Sequence, residues 1–543
     1  MNYELCINDN VKDFIKKHLN DDVNKLALSK FPEDIDKHFV VRQIHARQVL
    51  SKKLPSWAEN DELIFPKKLS LEQCSSELTA KYKTSLSTKS HEITRKGFSE
   101  DSCDLADEEK SANPHEMTRE GISEDSCDLA DEEKSANPHE MTLKGFSEDS
   151  CDLADEKISA KLQEMPRKEF SEDSCDLVDE KEISADSCEL ADKKRILVDL
   201  TGGMGVDTAF LSDNFDKTFY VEMQEELCEI ARHNFKILNK NIEVINDNAE
   251  HFLTTCDEVD CIYLDPARRD EYGRKMVSLH DCSPDVAELH DILLKKAKKV
   301  LVKVSPMLDI EMIKKELTDI TDIHVVAVRN ECKEILLEIQ KFRNSKTQQL
   351  SNSVTQKLSN SATQQLRILA IDLRENWNFS FTEDEECDAQ WTLADSVGKY
   401  LYEPGAACMK AGCFKLLSQK YNLDKLHRNS HLYTSNGLIS DFPGRIFEVL
   451  CALPFDKKTK KEITSICQQT TDNRQQTLSE DFPATQQLSN IATPKKASVA
   501  TRNFPLSADE LRKNLGLQDG NDFYIFGTTM KGEKKIVVIA KKL

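Results

Sequence analysis

The stretch that decides the fold is ILVDLTGGMG, which spans Ile196–Gly205. Its first half is a short aliphatic run that predicts a buried β-strand. Its three glycines predict a turn in which the backbone can approach a ligand closely, because these positions carry no side chain. The apolar spacing then becomes helical from Val206 to Leu211. A strand, a glycine turn and a helix in this order are typical of the opening unit of a nucleotide-binding α/β fold.

Three more strands follow, and a polar or charged residue comes at or just after the end of each. Glu222 stands 23 residues after Asp199, an interval at which a carboxylate can accept both ribose hydroxyls of a nucleoside. The carboxyl ends of parallel strands meet at one edge of a sheet, so we expect these side chains to surround one ligand. The residues at the four strand ends are Asp199, Glu222, Asp247 with Asn248, and Asp265.

In the order of these motifs the sequence resembles the class I S-adenosylmethionine-dependent methyltransferases. Asp199–Gly205 matches their first motif in its D-x-x-x-G-x-G form, and Asp265 with Pro266 stands where many of them carry an Asp/Asn-Pro-Pro-aromatic motif. The resemblance implies a seven-stranded, doubly wound Rossmann-like sheet whose last two strands form an antiparallel hairpin. A dinucleotide site is the alternative, but its first turn usually reads G-x-G-x-x-G, and the third glycine is missing here.

The resemblance also implies S-adenosyl-L-methionine as cofactor and gives roles to particular residues. Asp199 would hold the glycine turn and contact the methionine end, and Glu222 would bind the ribose. Asp247 and Asn248 would bind the adenine edge, although an Asp-Asn pair is also ordinary turn chemistry. For each acidic residue the alternative is helix capping or a surface ion pair. The predicted cofactor-binding residues are Asp199, Thr201, Gly203, Gly205, Glu222, Asp247 and Asn248.

Asp265 and Pro266 are the predicted catalytic residues. A carboxylate beside a rigid proline can accept a hydrogen bond or a proton from an amine or hydroxyl nucleophile. Ala267 and Arg268 replace the second proline and the aromatic residue of the family motif, which argues against a flipped-base platform here and leaves the target atom open.

Substrate contacts are predicted around the same strand ends. Arg268 and Arg269 could grip a phosphate bidentately, and pairing with a nearby carboxylate is the alternative. Ser305 and Lys303 border the site at the end of a predicted fifth strand, Val300–Val304, where either could be merely structural. Arg445, His431 and Arg502 could touch RNA, but residues of this kind are more often satisfied locally. No metal site is predicted.

Five further stretches widen the resemblance to the bacterial, Bacteroidetes-type family of methyltransferases with a THUMP-like domain. This family resemblance implies a ferredoxin-like segment and a small C-terminal THUMP-like domain. Because true THUMP domains present RNA to an attached catalytic domain, it also implies RNA as substrate, by analogy. The stretches are EQCSSE at 72–77, DPARRD at 265–270, SPMLD at 305–309, HLYTS at 431–435 and RNFPL at 502–506.

The chain divides into seven predicted segments. A helix over 69–82, capped by Ser70, precedes the first strand, and its Gln73, Ser75 and Ser76 could reach a ligand. The segments are a helical N-terminal domain (1–83), acidic repeats (84–195), the methyltransferase domain (196–342), a low-complexity linker (343–366), a ferredoxin-like α/β segment (367–467), a low-complexity insertion (468–497) and the THUMP-like domain (498–543).

The repeats have the unit SEDSCDL, which recurs from Ser99, Ser123, Ser147 and Ser171 with a period of 24. Such a period can indicate a solenoid, but each unit is acidic and has few large apolar residues, so we expect a disordered insertion. One cysteine per unit without a neighbouring His or Cys gives no chelate spacing. Tandem duplication is therefore the simpler interpretation.

The acidic balance belongs mainly to that insertion. Residues 84–195 hold 32 acidic and 15 basic side chains, which supply −17 of the formal net charge of −22, so acidity does not exclude a nucleic-acid partner. The 17 cysteines form no C-x-x-C pair, and no run has the ~18 apolar residues of a membrane span. These features predict a cytoplasmic protein with reduced thiols.

The sequence therefore predicts a methyltransferase acting on RNA, either tRNA or rRNA. The alternatives are a methyltransferase acting on DNA or protein, and a non-catalytic cofactor-binding module whose acidic repeats recruit partners. The oligomeric state is not predicted.

Overall fold

The computed structural model describes residues 7–87, 194–268, 278–341, 365–456 and 496–543. The acidic repeats, which were predicted to be disordered, lie almost entirely outside these residues. Arg269 and nearly all of the predicted linker and insertion also lie outside them. No described helix is both long enough and apolar enough to cross a membrane.

Six helices form the N-terminal part: α1 (Asp9–Lys17), α2 (Val23–Leu28), α3 (Lys37–Leu50), α4 (Pro55–Ala58), α5 (Lys68–Gln73) and α6 (Glu77–Ser87). The single helix predicted over 69–82 is wrong, because the chain leaves helical geometry between α5 and α6. Ser76 accepts the backbone N–H of Thr79 at 3.2 Å, and Ser75 turns inward to Asp207. The Ser76 bond is a local side-chain bond of the kind that competes with helix formation.

A nine-stranded sheet forms the centre of the molecule, with two very short strands beside it. The strands in chain order are β1 (Ile196–Asp199), β2 (Lys217–Glu222), β3 (Ile242–Asn246), β4 (Val259–Leu264), the short pair β5 (Ala267–Arg268) and β6 (Cys282–Ser283), then β7 (Ala297–Val304), β8 (Ile320–Val328), β9 (Glu331–Ile339), β10 (Arg367–Asp372) and β11 (Trp377–Thr382). The helices between them are α7 (Val206–Leu211), α8 (Glu225–Ile237), α9 (Ala249–Thr255), α10 (Val286–Lys296) and α11 (Ile310–Glu316).

The strand order in this sheet is β11-β10-β8-β9-β7-β4-β1-β2-β3. β1, β2, β3, β4 and β7 run parallel, and β9 lies antiparallel between β7 and β8. The α/β fold class predicted from the sequence is confirmed, and β8 and β9 form the predicted antiparallel hairpin. The hairpin turn consists of Arg329 and Asn330, both at positive φ, whose backbone N–H groups donate to the buried Asp372.

The sheet is two strands wider than the seven predicted. β10 pairs in parallel with β8, and β11 pairs antiparallel with β10. Residues 367–382 were predicted to belong to the ferredoxin-like segment, but their strands extend the central sheet. The alternating apolar pattern of a strand indicates which face is buried and not which sheet it joins, so the sequence could not decide this.

A second sheet of seven strands carries the C-terminal part. After α12 (Glu383–Asp388) the elements are β12 (Tyr400–Pro404), α13 (Ala406–Ala411), α14 (Phe414–Lys420), β13 (Asp424–Lys425), β14 (Tyr433–Ser435), β15 (Gly444–Pro454), β16 (Lys496–Arg502), α15 (Ala508–Leu515), β17 (Gln518–Met530) and β18 (Lys534–Lys542). Their order is β13-β14-β12-β15-β18-β17-β16. β15 pairs with β12 on one side and with β18 on the other, so one continuous sheet serves both predicted C-terminal domains.

Candidate active site

The glycine turn after β1 needs glycine for two different reasons. Gly203 and Gly205 have φ of +54° and +81°, a region that side-chain-bearing residues rarely adopt. At Gly205 an added Cβ would also lie 2.8 Å from the Phe235 ring, whereas at Gly203 its nearest neighbour would be 3.6 Å away. The turn therefore combines a conformational requirement at both positions with a packing requirement at Gly205.

Asp199 fixes this turn from the end of β1. One carboxylate oxygen accepts the backbone N–H of Thr201 at 2.9 Å, and the other accepts the hydroxyl of Thr208 at 2.5 Å. The side chain is 1% exposed, and burial raises the pKa of its carboxyl to about 7. Thr201 in turn accepts the backbone N–H of Asp265 at 2.6 Å, which joins the ends of β1 and β4.

Glu222 ends β2 beside the turn. Its two carboxylate oxygens accept backbone N–H groups, from Gly203 at 2.9 Å and from Gln224 at 2.8 Å. Each carboxylate oxygen has a second lone pair, so these bonds fix the side chain and leave acceptor capacity for a ligand.

A cavity of about 360 Å³ opens at this edge of the sheet. It brings together six of the predicted site residues: Asp199, Thr201, Gly203, Gly205, Glu222 and Asp265. α5 and the turn after it complete the wall with Ser70, Gln73, Cys74 and Ser75. The predicted approach of Gln73 and Ser75 to the site is therefore observed, whereas Ser76 immediately precedes α6 and does not line the cavity.

Five carboxylates and no Lys or Arg occur among the described residues that line this cavity. The carboxylates are those of Asp199, Asp207, Glu222, Glu250 and Asp265. Lys83 and Lys303 behind the wall pair with Asp207 and Asp265, so the charge that favours a cationic ligand over a pyrophosphate comes from the other carboxylates. The charge of the site thus disfavours the dinucleotide alternative that the glycine turn left open.

Asp247 and Asn248 contact their own helix and do not line the cavity. Asn248 accepts the backbone N–H of His251 at 2.7 Å as the N-cap of α9. The Asp247 carboxylate lies 2.7 Å from the His251 ring and accepts the Asn248 N–H at 2.8 Å. Capping accounts for these contacts, while the adjacent Ala249 and Glu250 line the cavity. Adenine binding by Asp247 and Asn248 remains a prediction.

None of the remaining predicted residues that the structure describes lines the cavity. Pro266 follows Asp265 and is partly buried, and the backbone of Arg268 pairs with Cys282 in the short β5–β6 ladder. The Arg268 side chain is outside the described part of the chain. Ser305 accepts the backbone N–H of Met307 at 3.2 Å in the turn after β7, and it does not line the cavity.

Lys303 of β7 forms an ion pair with the carboxylate of Asp265. Burial lowers the pKa of the Lys303 ammonium, but the carboxylates of Asp265, Asp207 and Glu334 outweigh this and raise it above its usual value. Lys303 is therefore a fixed cation immediately behind the predicted catalytic carboxylate. The sequence placed Lys303 at the border of the site but did not give it a partner.

A buried ionic network beneath the cavity was not predicted from the sequence. The ammonium of Lys83, on α6, lies 3.0 Å from both carboxylate oxygens of Glu334 and 3.2 Å from Asp207. Ser75 and Tyr263 each donate to the other oxygen of Asp207 at 2.7 Å. Burial raises the pKa of Asp207, but Lys83 and Lys303 outweigh it, so that pKa is below its usual value.

The sequence contained one sign of this network, which is a lysine on the buried face of α6. The other buried positions of that face are Thr79, Ala80, Tyr82 and Leu86. A cation among them requires a buried partner. The partner itself could not be named, because Glu334 is 251 residues away along the chain.

Comparison with known proteins agrees with this architecture. Residues 400–443 match a ferredoxin-like domain, and residues 485–542 match a THUMP domain-like family. A solved structure described as a "putative methyltransferase" from Porphyromonas gingivalis is similar over 98% of this chain and 97% of its own, with 26% identity and a TM-score of 0.63. No functionally curated protein gives a significant match.

Two smaller solved structures match only part of the chain. An rRNA methylase from Streptococcus thermophilus covers 28% of this chain and 92% of its own, with 17% identity and a TM-score of 0.21. A methyltransferase-like protein from Streptococcus mutans, solved with S-adenosylhomocysteine, covers 28% and 90%, with 18% identity and a TM-score of 0.22.

Proposed function

We propose that this chain transfers a methyl group from S-adenosyl-L-methionine to RNA, which its similarity to a methyltransferase structure and its ferredoxin-like and THUMP-like matches support. One observation carries the proposal. The glycine turn, Glu222 and Asp265 face a common cavity at the carboxyl edge of the central sheet. This cavity falls within the volume range of small-molecule sites.

The residues of the cavity fit this cofactor. S-adenosylmethionine carries a sulfonium and an ammonium group, which suit a wall with five carboxylates. In the proposal Glu222 binds the ribose, and the backbone of Gly203–Gly205 faces the ligand. Asp199 fixes the glycine turn and contacts the ammonium group. Burial raises the pKa of the Asp199 carboxyl, and a bound cationic ligand would stabilise its ionised form.

The bound cofactor supplies an activated methyl group, and this chain's residues supply alignment and a place for the proton. Asp265 accepts the hydrogen bond of the nucleophile, which orients its lone pair toward the methyl carbon. Lys303 holds the Asp265 carboxylate in place. Ser305, Arg268 and Arg269 are the proposed substrate contacts.

RNA is the substrate that the THUMP-like match favours over DNA or protein. Residues 501–543 carry eight basic and five acidic side chains, which reverses the acidic balance of the whole chain. We assign the methyltransferase domain to residues 196–382, since β10 and β11 extend its sheet. The ferredoxin-like segment then begins after residue 382.

Titration calorimetry of the full-length protein tests the cofactor assignment. S-adenosylmethionine should bind, NAD should not, and Glu222→Ala should weaken binding by about 1–3 kcal/mol through the lost ribose bonds. Glu243→Ala is the matched control, because this exposed glutamate of β3 pairs only with Lys217 among its described contacts. Tight binding of NAD would contradict the assignment.

Methyl transfer from labelled S-adenosylmethionine to RNA from a strain lacking the gene tests the activity. Asp265→Asn should bind the cofactor normally and lose most of its turnover, because the proton acceptor is gone. Label in protein or DNA, with none in RNA, would refute the substrate. Cofactor binding without any transfer would favour the non-catalytic module.

A further inference from the structure

A buried carboxylate in the second sheet holds two arginines. Glu403, on β12, is 2% exposed. The Arg445 guanidinium donates from Nε at 2.9 Å and from Nη2 to one oxygen of this carboxylate. The Arg502 guanidinium donates from Nη2 to the other oxygen at 2.7 Å. The two guanidinium groups are therefore held at a fixed spacing by one carboxylate.

The three residues come from both C-terminal domains. Glu403 and Arg445 are direct cross-strand partners on β12 and β15. Arg502 ends β16, and three strands separate β16 from β12 in the sheet, so the sheet must curl for this contact to form. A second connection lies next to it, where the His427 ring lies 2.9 Å from both the Asn503 amide and the Glu533 carboxylate.

This cluster has an excess of positive charge and of hydrogen-bond donors. Two guanidinium groups share one carboxylate, and each guanidinium has five N–H donors. Arg502 uses one further donor on the backbone oxygen of Thr501 at 3.0 Å. The side chains of Arg445 and Arg502 are 29% and 39% exposed, so their remaining donors can reach a solute.

An aromatic ring lies beside Arg445, and His431 lies close enough to Arg502 for their charges to interact. The Arg445 guanidinium lies 5.9 Å from the centroid of the partly exposed Tyr524 ring. His431 stacks on Phe414, and its Nδ1 is buried without a hydrogen-bond partner in the described part of the chain. Burial, Lys425 and Arg502 lower the pKa of His431 to about 4, so its ring is neutral at pH 7.

We propose that Arg445 and Arg502 form a phosphate-binding site for the RNA backbone, with Glu403 positioning both guanidinium groups. Planar guanidinium groups with paired N–H donors match the oxygens of a phosphate. The partly exposed Tyr524 ring beside Arg445 offers a surface on which an unpaired base can stack. This inference rests on the proposed function, since it names where the substrate of that reaction is held. Arg445 and Arg502, which the sequence left as isolated polar residues, are joined through Glu403.

Salt-dependent RNA binding tests the site in the full-length protein. The probe is a fluorescent, unmodified transfer RNA transcript, with affinity measured from 50 to 300 mM salt. Arg445→Gln and Arg502→Gln should each weaken binding and reduce the slope of log Kd against log salt by about 0.7–0.9, the value for one lost phosphate contact. Arg512→Gln is the matched control, because this partly exposed arginine of α15 pairs with Asp509 and Asp519 on the surface. Its slope should stay unchanged.

Arginine modification of the wild-type protein gives a second measurement that needs no variant to fold. Phenylglyoxal labelling of Arg445 and Arg502, mapped by mass spectrometry, should slow at least threefold with saturating transcript, whereas labelling of Arg512 should not. If inorganic phosphate at equal phosphate concentration protects as well as RNA, the site binds free anions and the RNA assignment is overturned.

Two negative results have different meanings. If the wild-type protein binds the transcript but neither variant changes the slope, the phosphate site is refuted and the proposed function is unaffected. If the wild-type protein binds no RNA while S-adenosylmethionine still binds, the RNA part of the proposed function fails, and the site fails with it.

Discussion

The substitution Lys83→Met tests the ionic network that attaches α6 to the central sheet. Lys83 is fully buried, and its ammonium contacts both oxygens of Glu334, Asp207 and the Ser75 hydroxyl. Methionine keeps much of the volume but leaves two buried carboxylates without their direct ion pair, although both still interact with Lys303. Removing one partner of a buried ion pair costs about 3–5 kcal/mol. We expect a loss of that size in the free energy of unfolding.

The pH dependence of this loss has a definite sign. In the wild-type protein the pKa of Asp207 is below its usual value, so its contribution to stability is present at neutral pH and lost as pH falls through that lowered pKa. Without Lys83 the buried carboxylates should take up protons more readily when folded than when unfolded. The variant should therefore lose less stability at pH 5 than at pH 8.

Urea unfolding followed by tryptophan fluorescence measures the effect. Trp57 packs in the same core cluster as Tyr220 and Phe235, so it reports the contact between the N-terminal helices and the central sheet. Lys81→Met is the control, because Lys81 is exposed on the same helix and pairs with Glu77, a contact worth at most about 1 kcal/mol. A Lys83→Met variant within about 1 kcal/mol of wild type at pH 8 would refute the reasoning.

Three further predictions concern the site and the repeats. Gly205→Ala should lower the melting temperature more than Gly203→Ala, because both incur about 1–2 kcal/mol of left-handed strain but only the first meets the Phe235 ring; equal losses would contradict this. Protonation of Asp199 below about pH 7 should weaken S-adenosylmethionine binding in calorimetry, and Asp199→Asn should flatten that dependence. Because the Asp199 pKa is raised on folding, its contribution to stability falls as pH rises from about 4 to 7. Finally, a short glycine-serine linker in place of residues 88–193 should leave the melting temperature and the cofactor affinity unchanged. Ser87 bonds to Asn214 and Arg195 bonds to Asp216, so the two ends of the chain at this point contact the same segment. A destabilised product would refute the interpretation of these residues as an insertion.

The parts of the fold that the sequence predicted depend on local signals. The strands of the central sheet are aliphatic runs, and the glycines, Asp199 and Glu222 keep their spacing along one continuous stretch. The residue types and their spacing along the chain were therefore enough to predict that the glycine turn, Asp199 and Glu222 line the same cavity. Asp247 and Asn248 show the limit of that reasoning, because the motif for a ligand contact and the motif for a helix cap look the same.

The features that the sequence did not predict depend on partners distant in the chain. The break between α5 and α6 arises where Ser75 bonds to Asp207, 132 residues away. Glu403 and Arg502 are separated by 99 residues, and only the curl of the second sheet brings them together. β10 joins the central sheet because β8 offers it a free edge, which no local pattern encodes.

Because both C-terminal domains share the second sheet, truncation is a poor way to study them separately. β15 is an 11-residue strand, and β18, inside the THUMP-like domain, covers one of its edges. A chain cut before residue 485 would leave that edge as an open row of N–H and C=O groups, which is a template for pairing between molecules. Self-association of such a fragment would then mask any loss of substrate binding, so single-residue variants are the sound way to separate the roles of the two C-terminal domains.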